Sequence, residues 1–95
     1  MDNFFAPPPF KPAEALAQLK RQLRDLRMLT ERGSAYELRG QAVVELAADD
    51  AAIDARLAKR PARTPEWTRH TLRNSAEVRR FVDTVKAQLA AWSDE

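Results

Sequence analysis

The sequence predicts an α+β fold: a helix, a three- or four-stranded antiparallel meander and a second helix, in a two-layer sandwich with both helices on one sheet face. Three observations predict it. Apolar residues recur at helical spacing near both ends of the chain, they alternate with polar residues at period two in the middle, and turn-forming residues separate the two regimes. An all-α small bundle is the alternative, because the Ala-rich middle also fits a helical stripe.

The first twelve residues hold Pro7, Pro8, Pro9 and Pro12 among Phe4, Phe5 and Phe10. Proline fixes φ and removes N–H donors, so residues 1–12 read as an extended, flexible arm and residues 13–95 as a single domain. Phe4, Phe5 and Phe10 are candidate contacts to a partner or to the arm's own domain, since paired exposed phenylalanines call for cover. Pro9-Phe10-Lys11-Pro12 also fits the minimal proline-rich ligand pattern, which is too short to be specific.

Pro12 and Glu14 suit a helix start, and Leu16, Leu19, Leu23 and Leu26 then recur at three- and four-residue spacing. The first helix is therefore expected over 13–32, stopping at Gly33. From Tyr36 to Ala48 the even positions are mostly apolar and the odd ones mostly polar, with a turn at Arg39-Gly40-Gln41 and another at Asp49-Asp50 leading into Ile53, Ala55 and Leu57. Three strands result; a helix over 42–59 competes, but it would hold Asp49 and Asp50 at its centre. After the loop from Pro61 to Pro65, Thr64-Pro65-Glu66 opens either a short helical turn carrying Trp67 or a fourth strand through Trp67–Leu72. Asn74-Ser75-Ala76-Glu77 has the form of a capping box, and Val78, Phe81, Val82, Val85, Leu89 and Trp92 continue one stripe, so the last helix covers 75–92. The free sheet face would carry Glu37, Arg39, Glu45, Asp54 and Arg56. This order of elements resembles that of double-stranded RNA-binding domains, but where those place a lysine run at the start of the last helix, this chain reads Asn74-Ser75-Ala76-Glu77.

Ninety-five residues suffice for one small core. The 44% hydrophobic and 32% charged composition is that of a folded chain, and the absence of cysteine removes disulfides and thiolate metal sites, as suits a cytoplasmic protein. The first residues, Met1-Asp2-Asn3-Phe4, lack the basic and apolar regions of a secretion signal, and no apolar run is long enough to span a membrane.

The net charge of +2 is unevenly spread. Glu45, Asp49, Asp50 and Asp54 form an acidic stretch, after which Arg56, Lys59, Arg60, Arg63, Arg69 and Arg73 face only Glu66, with Trp67 inside the run. Basic side chains around an aromatic ring can neutralise phosphates and stack a base, which makes Arg56, Lys59, Arg60, Arg63, Trp67, Arg69 and Arg73 a candidate polyanion site. The plainer reading is a solvated face, with Trp67 packed against the core.

No constellation for catalysis stands out. His70 has no second histidine or cysteine to share a metal with, and Asp49, Asp50 and Asp54 suit turn chemistry better than a calcium loop. Gly33 and Gly40 lie too far apart for a phosphate-cradling loop, and Ser34, Ser75 and Ser93 lack the context of an activated nucleophile. No cofactor, metal, membrane or small-molecule substrate is expected. The expected function is a non-catalytic protein-interaction module, with self-association as one form of that interaction; the alternative is a nucleic-acid-binding accessory protein using Arg56–Arg73.

Overall fold

Pro12 fixes the first φ of α1 (Pro12–Arg24), where its missing N–H is no loss, and Glu14 lies in the first turn near the positive end of the helix dipole. Residues 10–93, which the computed structural model describes, continue as β1 (Thr30–Arg32), β2 (Ala35–Leu38), β3 (Gln41–Ala48), β4 (Ile53–Ala58), β5 (Trp67–Leu72) and α2 (Ser75–Ser93). The strands form one antiparallel sheet in the order β1-β2-β3-β4-β5, a meander in which every neighbour in space is a neighbour in sequence. The helix–meander–helix order and the α+β class are those the periodicity predicts, with five strands in place of three or four. The all-α alternative, and with it a helix over 42–59, is excluded by the ladder between β3 and β4, which pairs Val44 with Leu57 and Leu46 with Ala55.

The first helix ends at Arg24, not at residue 32. The N–H of Leu26 donates to the carbonyl of Leu23 and that of Leu29 to Leu26, so the three-residue spacing of these leucines is met by tight turns after the helix has stopped. Those turns still deliver Leu29 to the core and free Thr30–Arg32 to become β1. Trp67–Leu72 adopts the strand alternative: Lys59 N–H donates to Glu66 O at 2.8 Å, which carries the β4–β5 ladder past the point where a helical turn would begin.

Alternation sets the inner face. Ile53, Ala55 and Leu57 of β4 are buried, whereas Asp54 and Arg56 between them are not. On β3 the pattern breaks at a bulge: the pairing shifts between Tyr36 and Glu37, and the extra residue lets the consecutive Val43 and Val44 both reach 0% exposure. Leu19 and Leu23 of α1 and Val78, Phe81, Val82, Val85, Leu89 and Trp92 of α2 close the core from one side. Burying a side chain such as Phe81 stabilises by about 1.5–3 kcal/mol each, the main force joining helices to sheet. The helices lie side by side with their N-termini together: Ala15, Gln18 and Gln22 border Ser75, Val78 and Arg79, while Ser93 Oγ reaches Met28 Sδ at 3.6 Å near the other end.

Two turns fix the meander. Arg39 (φ 52°) and Gly40 (φ 83°) both take positive φ, as the two-residue hairpin of primed type requires. Between β3 and β4, Asp49 Oδ1 accepts from the N–H groups of Ala51 at 2.7 Å and Ala52 at 2.9 Å. These bonds hold its carboxyl below the usual value, so Asp49 serves the turn. At α2, Asn74 Oδ1 accepts from the N–H of Glu77, and Glu77 Oε1 reaches back to the N–H of Arg73. Phe10 packs part-buried on the core beside α1, and Phe4 and Phe5 lie outside the described residues.

Candidate functional site

With both helices on the inner face, the outer face of the sheet is left to a ladder of charges. The register sets Glu45 opposite Arg56 and Arg56 opposite Arg69, with Asp54 next along β4. Arg69 grips Asp54 through Nε at 3.1 Å and Nη2 at 3.0 Å, and Arg56 adds longer contacts to Asp54 (3.7 Å) and Glu45 (3.9 Å). The fork from Arg69 is the main reason the Asp54 carboxyl lies below its ordinary value and the guanidinium above its own. Arg32 pairs with Glu37 at 3.3 Å. Glu37, Glu45, Asp54 and Arg56 thus occupy the outer face, whereas Arg39 sits in the hairpin turn.

The candidate polyanion residues are dispersed by this arrangement. Arg56 and Arg69 are tied to acids on the outer face, Trp67 lies opposite Ala58 and packs part-buried against the core, Arg63 is in the β4–β5 loop, and Arg73 joins β5 to α2. Lys59 and Arg60 do meet new company. With Arg39 they line a cleft of about 470 Å³ at the end of the sheet, whose other walls are Leu38, Gln41, Pro61, Gln88, Ala91 and Trp92. No acidic residue lines it, and Lys59 alone of its cations has an ion pair among the described residues, a 3.9 Å contact to Glu66. Sequence reasoning did not join Arg39 to this group because only the hairpin brings it to the end of β4.

The second feature is the open edge of the sheet. In an antiparallel ladder, hydrogen-bonded and non-hydrogen-bonded pairs alternate. Since Lys59 and Glu66 are a bonded pair, Thr68, His70 and Leu72 turn their backbone groups to β4, and Trp67, Arg69 and Thr71 turn theirs outward. None of these outward groups takes part in a hydrogen bond among the described residues. The opposite edge, β1, is only three residues long, all of them exposed.

Beside this edge runs a groove of about 430 Å³, with Arg69, His70, Thr71 and Leu72 on one side and Glu77, Arg80, Phe81 and Thr84 of α2 on the other. His70 meets the Phe81 ring edge-on, at 5.3 Å between centroids and 61° between planes. Its Nε2 is buried without a partner among the described residues. Such an atom costs about 1–3 kcal/mol unless something reaches it, so a lone histidine that reads as a packing residue in sequence is in place a polar group in search of a bond. Arg80 and Thr84 carry no signal in sequence beyond the polar face of a helix.

The described residues include no cluster of three or more metal-ligating side chains and no helix long and apolar enough to cross a membrane. The fold and surfaces define an α+β meander with both helices on one face, a basic cleft at one end and a strand whose outer side is open at one edge. A scan against protein-family models, a search of curated proteins and a search of solved structures each give no match.

Proposed function

We propose that this chain is a non-catalytic protein-interaction module that binds its partner through the β5 edge of the sheet. The observation that carries the reading is the six-residue edge strand whose outward N–H and C=O groups at Trp67, Arg69 and Thr71 have no bonding partner among the described residues. Natural sheets shield long edges, and an unshielded one is a template for strand addition. Arg69, the charge best placed to shield it, is instead folded back onto Asp54. The test is a selection from a random-peptide display library on the folded chain and on Thr71→Pro. Because the Thr71 N–H points away from β4, the proline removes an outward donor and leaves the internal ladder whole. Peptides retained by the parent and lost by the variant support the reading; a library that yields no binder to the parent overturns it.

A second reading, a nucleic-acid-binding accessory protein, is favoured by one observation, the convergence of Arg39, Lys59 and Arg60 around Trp92. It predicts binding of mixed short DNA or RNA that falls steeply with salt and is lost on charge reversal at Arg60. Amide shifts confined to the cleft on titration with those oligonucleotides would support it, and an unchanged spectrum at low salt would remove it.

A further inference from the structure

We infer that the groove between β5 and α2 accepts an extended acidic segment of a partner protein, added antiparallel to β5 as a sixth strand, with a carboxylate seated beside His70 and Arg80. This rests on the protein-interaction reading and gives it a site, a register and a ligand chemistry.

The backbone sets the register. A guest strand bonds to the outward groups of Trp67, Arg69 and Thr71, and its residues opposite these three share their face, the outer one. The guest residues between them point to the inner face, where the groove lies. The residue opposite His70 therefore enters between His70 and the Arg80–Thr84 stretch of α2. There the part-buried His70 ring and the exposed Arg80 side chain flank it.

Charge selects the guest. Of the groove's charged groups, Arg69 is committed to Asp54, and Glu77 accepts the backbone N–H of Arg73 at 2.6 Å as part of the helix start. Arg80 has no ion pair among the described residues, nor does Arg73 next to the groove. Together Arg80 and Arg73 outweigh the single negative charge of Glu77, so beside Arg80 a carboxylate is favoured and a lysine opposed. The same count disfavours a second copy of β5 as the guest, since it would bring Arg69 and Arg73 to a basic edge and has no acid within Trp67–Leu72. A nucleic acid lacks the alternating amide donors and acceptors that the edge demands.

The experiment compares random nonapeptides recovered by the parent chain, by Arg80→Glu and by Thr71→Pro, with binding sites mapped on assigned amide spectra and the rotational correlation time read from the free protein. Expected are parent-selected peptides with Asp or Glu at one recurring position between β-branched or aromatic neighbours, which shift the amides of Trp67, Arg69 and Thr71 and the ring of His70. Arg80→Glu should weaken these peptides at least tenfold and select Lys at that position. Binders that need the open edge but show no acid preference, and that Arg80→Glu leaves untouched, overturn the inference while leaving the interaction reading intact. So does a free protein of dimer size that Thr71→Pro converts to monomer, because the edge is then held by a second copy. Failure to recover any binder overturns both. Should Thr71→Pro not fold, Arg80→Glu decides alone, since Arg80 is exposed and its side chain holds no partner among the described residues.

Discussion

Replacing Tyr36 by phenylalanine should leave the fold intact and change how stability depends on pH. Tyr36 is 0% exposed, and its hydroxyl lies 3.4 Å from the Lys20 carbonyl oxygen and 3.3 Å from Glu31 Oε2, linking the end of α1 to β1 and β2. The one hydroxyl proton is shared between these two acceptors at long distance, and Phe fills the same volume, so the loss at neutral pH is about 1 kcal/mol. At high pH the sign reverses. Burial, and after it the charge of Glu31, push the phenol up to about 12 from its ordinary 10.0. The unfolded chain therefore releases this proton first: the tyrosine's contribution is complete below about pH 10 and is lost as pH rises toward about 12, by up to about 1.4 kcal/mol per unit. By about pH 11 that loss exceeds the hydrogen-bond gain, and the stability curves of parent and variant should cross. Urea unfolding followed by circular dichroism at a series of pH values measures both curves. A difference between the two proteins that stays constant from about pH 8 to about 11 would refute the assignment of a protonated, buried phenol.

Arg39→Asn should raise stability by about 0.5–1 kcal/mol, because Asn accepts the positive φ of 52° that Arg tolerates poorly; thermal unfolding reads it, and a lower melting temperature would count against the turn geometry. Asp54→Asn removes the charge and one of the two acceptor oxygens of the Arg69 fork and should destabilise by much less than a core truncation. Because the native Asp54 carboxyl is depressed, chiefly by Arg69, its contribution is present above the unfolded value near about 3.9 and is lost as pH falls below it, so parent and variant should converge in acid and in high salt. Leu89→Ala, at a position 4% exposed, should cost about 2–5 kcal/mol in urea unfolding, and a loss near zero would mean that α2 does not pack as described.

The sequence made visible those parts of the fold where one periodicity persists over many residues. The stripe from Val78 to Trp92 repeats often enough to exclude a strand, and the alternation around Arg39-Gly40 favours strands, although over 42–59 the Ala-rich sequence also fits a helix until the β3–β4 ladder decides it. Thr30–Arg32 could not be seen, since three exposed polar residues carry no periodicity and become a strand only because β2 lies beside them. The end of α1 was masked because Leu23, Leu26 and Leu29 keep helical spacing through non-helical turns. At the candidate sites, composition showed the cations but not their pairing. Arg56 and Asp54 share a face by simple alternation, whereas the Arg69–Asp54 fork depends on the β4–β5 register and the Arg39–Lys59–Arg60 cleft on two loops meeting. The open edge follows from strand order alone.

The meander also bears on how the chain reaches this structure. Each strand pairs with the one before it across a short connection, so hairpins form from local contacts on a scale of about 1–10 μs and can grow one strand at a time. The long-range step is the docking of α1 against α2, two helices separated in sequence by the whole sheet. Substitutions at Leu19 or Leu23 should therefore speed unfolding more than they slow folding, and those at the Arg39-Gly40 hairpin should do the reverse.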